Sequence, residues 1–249
     1  MTQGPAHLPA RRRIALLVLS ALLAAGAYGW ATHYGLESRP NHEPVVEHIE
    51  PAPTAQRRAD FGSAVARAEV HRVADWVVAS ADHGQRPFAL VDKSQATLYV
   101  FTPTGRLIGT SPVLLGLARG DDSEPGIGDK PIAAIRPEER TTPAGRFAAQ
   151  PGKNLGGDNV IWVDYDAAVS MHSVRATVAS ERRLQRLESP DPAEHRISYG
   201  CINVPAAFFA GVAWPSFAQA GGMIYVLPET RPLADVFPAL RGTPATTAS

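Results

Sequence analysis

The stretch Ser198-Tyr199-Gly200-Cys201-Ile202-Asn203 decides how this chain is read, because it holds the single cysteine of a 249-residue sequence. A lone cysteine has no partner for a disulfide within the chain, so Cys201 is either a small buried apolar residue or kept for chemistry. A thiolate attacks carbonyls far better than a thiol. At an ordinary pKa of about 8.5 a thiol is mostly protonated at neutral pH, so a catalytic cysteine needs a base or a cation beside it. Gly200 allows close backbone approach, and amides in such a turn can meet a developing oxyanion.

The sequence beyond Pro87 offers two histidines as that base, His172 and His195. His172 follows the apolar stretch 161–171, which is expected to deliver it from a strand to the surface. His195 sits in a polar loop a few residues before Cys201. Spacing alone does not choose between them.

Working outward, Arg11, Arg12 and Arg13 precede a charge-free run from Ile14 to Trp30. This pattern reads as an export signal, with Ala25-Gly26-Ala27 as a cleavage candidate, or as an uncleaved anchor in the inner membrane with the arginines left inside. Both readings place the remainder in the periplasm or outside the cell. Prolines 40, 44, 51 and 53 mark residues 36–58 as a linker. Phe61, Val65, Ala68, Val73, Trp76 and Val77 recur at helical spacing and predict a helix from Ala59 to Ser80, within a lead-in spanning 59–86.

From Pro87 the texture changes to short β-rich runs: Phe88 to Val91, Thr97 to Phe101, Leu107 to Leu114, Val160 to Asp164 and Met223 to Leu227. Two long loops interrupt them, Gly120 to Thr142 and Thr177 to Arg196, the second with a short basic helix at Ser180 to Leu187. Residues 231–249 read as a frayed tail. Net charge is zero and no long basic block follows the terminal arginines, which argues against a nucleic-acid partner. No paired-cysteine or His-Glu-x-x-His pattern calls for a metal, and no cofactor is expected.

The region 87–230 resembles the catalytic domain of the L,D-transpeptidases, also called YkuD-like domains. The resemblance is carried by Val91-Asp92 with Leu98-Tyr99-Val100, by Thr142-Pro143-Ala144-Gly145-Arg146-Phe147, and by His172 followed by the segment around Cys201. It implies a mainly-β, sandwich-type domain with a few helices. It further implies that Cys201 is the nucleophile and His172 the general base, oriented by the backbone carbonyl of Ser173. Gly200 and Cys201 would form the oxyanion site, Ser198 belongs to the motif, and Asn203 would support the turn. The substrates implied are peptidoglycan stem peptides, with a stem amine, a wall-anchored protein or water as acyl acceptor and carbapenem-type β-lactams as inhibitors. Two departures stand out. Tyr199 replaces the motif's inner histidine, and phenol is a poor base at neutral pH. The segment from Ser173 to Ile197 is longer than the family's usual spacing, and His195 within it is a candidate replacement for the missing imidazole.

Overall fold

A computed structural model describes residues 57–242; the predicted export segment and nearly all of the linker lie outside them. Among the described residues no helix is long and apolar enough to cross a membrane. Ten strands follow one another: β1 (Phe88–Asp92), β2 (Thr97–Phe101), β3 (Leu107–Pro112), β4 (Leu115–Gly116), β5 (Gly145–Lys153), β6 (Asn159–Asp164), β7 (Val169–Ser173), β8 (Arg196–Ser198), β9 (Ile202–Val204) and β10 (Gly222–Leu227). Eight of them form one sheet in the order β3-β2-β1-β10-β5-β6-β7-β9, and β4 pairs with β8 separately.

The long strand β5 changes partner along its length, pairing with β10 through Gly145–Ala149 and with β6 through Gln150–Lys153. Residues from both halves of the sheet then meet in one buried cluster: Ala89, Val91, Leu98, Val100, Ile224 and Val226 from one half, Ile161, Met171, Ile202 and Val204 from the other. The sheet therefore folds over on itself, with β5 shared between its two halves, and the domain is mainly β with few helices, as expected. Burial of both faces explains why β1, β2 and β10 are apolar over nearly their whole length. Their remaining side chains, Phe88, Leu90, Tyr99, Phe101, Met223 and Tyr225, point the other way, onto a second cluster with Val70, Val73, Ala74 and Val77 of helix α1 (Ala68–Ser80).

Several expectations need correction. The lead-in helix begins at Ala68, not Ala59. Upstream, Asp60 makes a strand-like bridge to Arg106, and its side chain accepts from the Gly62 amide in a tight turn that stops any helix there. Phe61 is buried, but Val65 is fully outside the core. The third strand ends at Pro112, and Leu115–Gly116 is a separate strand. The long loop from Gly120 stands as a loop and carries 3-10 turns at Ile127–Asp129, Ile132–Ala134 and Pro137–Glu139. The short basic helix is displaced to α2 (Arg183–Glu188), preceded by a 3-10 turn at Ala179–Glu181 and a left-handed Arg182. A helical segment α3 spans 206–217, with a π-helical turn at Phe209–Ala213; Pro215, just beyond it, has no amide to give to the carbonyl four residues back. The tail is not frayed over 231–242: α4 (Leu233–Val236) and a turn at Pro238–Leu240 bury Phe237 and Leu240 against α1 and β10.

A buried ionic cluster ties four segments together. Lys93, in the β1–β2 turn, is fully buried and donates to Asp121 Oδ1 (2.8 Å), Thr142 O (2.9 Å) and Gly120 O (2.5 Å). Asp121 also accepts from the amides of Glu229, Thr230 and Arg231 and from the Thr230 hydroxyl. Glu229 in turn pairs with Arg196 of β8 at 2.6 Å. Burial alone would push the Asp121 carboxyl up, but the Lys93 ammonium, the Thr230 hydroxyl and the converging amides outweigh it and hold the group far below the usual carboxylate range. Breaking one side of such a pair leaves an uncompensated buried charge and costs about 3–5 kcal/mol.

Asp121→Ala should therefore lower unfolding free energy by about 3–5 kcal/mol in urea titrations. Because the folded-state pKa of Asp121 is depressed, its contribution is fully present at neutral pH and is lost as pH falls below the unfolded-chain value of about 4. Stability curves of wild type and Asp121→Ala should converge in acid; parallel curves would contradict this.

Candidate active site

The site is built by the parallel pairing of β7 with β9, in which Met171 lies opposite Ile202, His172 opposite Asn203 and Ser173 opposite Val204. Val169, Met171, Ile202 and Val204 all enter the core, so the strand alternation turns Ser170, His172, Cys201 and Asn203 to the opposite face. Two pairs result, Ser170 beside Cys201 and His172 beside Asn203.

Cys201 is only partly buried. Its sulfur accepts from the Ser170 amide (3.5 Å) and lies 3.7 Å from both the Ser170 hydroxyl and the Ala168 carbonyl. The Ser170 contacts favour a thiolate, and the Ala168 carbonyl takes the proton of the thiol form. His172 Nδ1 faces the Ser173 carbonyl at 2.8 Å, and Nε2 lies 3.2 Å from Asn203 Nδ2. Since a carbonyl only accepts, Nδ1 carries a proton and Nε2 is the lone-pair nitrogen.

His172 and Cys201 lie close enough to shift each other. Burial opposes the thiolate, but the contact with His172 and then the Ser170 donors outweigh it, holding the Cys201 thiol below its ordinary value. For His172 burial likewise opposes the charged form, and the contacts with Cys201 and with the Ser173 carbonyl raise it above its ordinary value. Opposite movements in adjacent groups are the directions that ease proton transfer from the thiol to the imidazole.

The turn that carries Cys201 is pinned from several directions. Ser198 Oγ donates to Cys201 O (2.6 Å) and accepts from the Gly200 amide (3.1 Å), and Thr142 Oγ1 donates to Gly200 O (2.8 Å). Gly200 adopts φ +128°, and a Cβ there would lie 2.8 Å from the Thr141 carbonyl, so glycine is required on both counts. Its amide is committed to Ser198, so of the two amides expected at an oxyanion site only that of Cys201 remains for the role.

Other expectations resolve as follows. Ser173 does present its carbonyl to His172. Asn203 does more than support the turn, because its side chain sits between His172 and Arg183 of α2, whose Nη1 donates to Asn203 Oδ1 at 2.5 Å. His195 does not replace the missing imidazole: it is buried, with its ring nitrogens on the carbonyls of Val113 (2.9 Å) and Ser189 (3.0 Å). Tyr199 is directed outward, with the Arg140 guanidinium stacked 4.0 Å from its ring centroid. Sequence reasoning missed Ser170, Arg183 and Arg140. Ser170 was within reach, since it stands two residues before His172 and any strand through that histidine puts both on one face.

A cavity of about 400 Å³ adjoins His172 and Ser173, walled by Lys153, Asn154, Asn159, Arg175 and Phe209. Of the reactive pair only His172 lines it. Among the described residues no cluster of ligating side chains could hold a metal ion.

No family model matches the chain, and no curated protein does. Among solved structures the chain is similar to the helical cell shape determining protein Pgp2 from Campylobacter jejuni, at 15% identity over 59% of this chain and 49% of that one, with a TM-score of 0.39. It is also similar to the catalytic domain of the E. faecium L,D-transpeptidase, at 18% identity over 57% of this chain and 98% of that one, TM-score 0.30. A third likeness is to an L,D-transpeptidase from Mycobacterium smegmatis, at 18% identity over 57% and 58% of the two chains, TM-score 0.32. The match spans about half the length of the Campylobacter protein. At these identities and TM-scores, the chemistry assigned to the site rests on its own geometry.

Proposed function

We propose that the domain is a cysteine-dependent L,D-transpeptidase acting on peptidoglycan stem peptides outside the cytoplasm. The observation that carries the reading is the Cys201–His172 pair on one sheet face, with the thiol held down, the imidazole held up and an amide donor on the sulfur. The motif order described above supplies the substrate class. The alternative, a non-catalytic wall-binding module, has no use for an amide donor on the sulfur or for a histidine beside it.

In the proposed reaction the Cys201 thiolate attacks the carbonyl carbon of the third stem residue, and His172 holds the proton removed from sulfur. The developing oxyanion faces the Cys201 amide. The bond to the terminal D-alanine breaks, its nitrogen takes the proton from His172, and a thioester remains on Cys201. An amine of a neighbouring stem or of a wall-anchored protein then attacks the thioester, His172 accepting its proton; the C–S bond breaks, Cys201 leaves as the thiolate, and a new amide forms. Water as the acceptor gives carboxypeptidase activity from the same intermediate. Tyr199, stacked on Arg140 next to the nucleophile in the chain, takes no proton in this scheme.

Incubation with a carbapenem should add the mass of the intact β-lactam to the wild-type protein and nothing to Cys201→Ala. His172→Ala should slow the addition by about 10²–10⁴-fold, the usual contribution of a positioned base. Intact-mass spectra with no wild-type adduct, or with the same adduct on Cys201→Ala, would count against the reading. Product analysis with and without an added amine acceptor separates transfer from hydrolysis.

A further inference from the structure

The long segment between the two site residues brings Arg183 behind the histidine. Its side chain is only 12% exposed, and Glu181 holds its Nε at 2.5 Å, which aims Nη1 at Asn203 Oδ1. A guanidinium has donors only, so Asn203 must turn its oxygen toward Arg183. The nitrogen of the same amide is then left facing His172 Nε2. Asn203 is itself almost fully buried and its backbone pairs with Leu114 on both sides, so the amide has little room for another arrangement.

We propose that Arg183 is a positioning residue for the reactive pair: through the Asn203 amide it favours the neutral imidazole of His172 with its lone pair on Nε2, while the Ser173 carbonyl holds the proton on Nδ1. That is the form able to accept a proton from Cys201. Without Arg183 the amide can rotate and offer its oxygen to a protonated Nε2, which favours the imidazolium. The positive charge of Arg183 acts in the same direction, opposing the charging of His172.

Other charged groups near the ring are accounted for. Cys201 faces it from the end of β9. Lys153 of β5, Arg175 beyond β7 and Asp158 line the adjoining cavity, with Arg175 paired to Asp158 at 3.4 Å and Lys153 bonded to the Gly157 carbonyl. Arg183 alone among these cations is linked to the imidazole through a chain of hydrogen bonds. The inference rests on the transpeptidase reading only for its role in catalysis; the relay itself is a property of the histidine.

The test is an NMR titration of the His172 ring nitrogens in the Cys201→Ala protein, where the thiol is absent. The expected results are an Nδ1–H neutral tautomer, an upward shift of the His172 midpoint on adding Arg183→Met, and a smaller shift with Arg183→Lys, which remains a donor-only cation. The rise caused by Arg183→Met should shrink when Asn203→Leu is also present, because the relay is then already cut. An unchanged midpoint and tautomer in a folded Arg183→Met protein would overturn the proposal, and so would an equal rise with and without Asn203, which would leave only through-space charge. If Asn203→Leu fails to fold, Asn203→Ala takes its place: a rise on Arg183→Met as large with Asn203→Ala as without it overturns the relay. A carbapenem-inert wild type with the expected shifts would sink the transpeptidase reading and leave the relay standing.

Discussion

The parallel register between β7 and β9 is the constraint on which the site depends. It sets His172 opposite Asn203 and turns Cys201 and Ser170 to the same face, while the intervening Met171 and Ile202 anchor both strands in the core. Side chains alternate with period two, so a slip by one residue would bury the histidine and expose the core residues. The apolar positions thus do more than stabilise the fold. They fix which face carries the chemistry, and the cost of moving them is the loss of buried apolar area from strands whose core residues are inaccessible to water.

A short strand such as β9 cannot hold that register alone, and the fold adds fastenings at its entrance. Thr142 carries them: its hydroxyl holds Gly200 O while its backbone carbonyl receives the buried Lys93 ammonium. Lys93 and Asp121 connect the same point to the end of β10, and Glu229 with Arg196 connects it to β8. Such a cluster contributes little net stability relative to an apolar replacement, because desolvation offsets most of the attraction. What it supplies is uniqueness of geometry, since each member has one arrangement that satisfies its partners. The turn bearing the nucleophile is thereby tied to the centre of the sheet.

Legibility in the sequence followed the physics of each element. β1, β2, β6 and β10 were readable because runs of β-branched and aromatic residues with turn residues between them have few other uses. β5 was hidden by Gly145, Pro151 and Gly152, which punctuate a strand that bends between two partners. β8 and β9, of three residues each, are too short for periodicity to register, whereas β7 alternates Val169 and Met171 with Ser170 and His172 and was masked by the apolar stretch that precedes it. Phe237 and Leu240 were lost among prolines, since two buried side chains in a turn leave no repeating pattern. Cys201 and His172 were legible from their chemistry and order. Arg183 was not: it looked like one of several arginines on a solvated helix, and only the tertiary fold puts its guanidinium against a buried amide twenty residues along the chain.

All of these contacts converge on the ionisation of one sulfur. The most direct measurement is the pH dependence of Cys201 alkylation by iodoacetamide, in wild type and in His172→Ala. A thiolate stabilised by the imidazolium and by the Ser170 amide gives a midpoint below the ordinary thiol value of about 8.5, and loss of His172 moves it upward. A wild-type midpoint at the ordinary value, unchanged in His172→Ala, would contradict the pairing of Cys201 with His172.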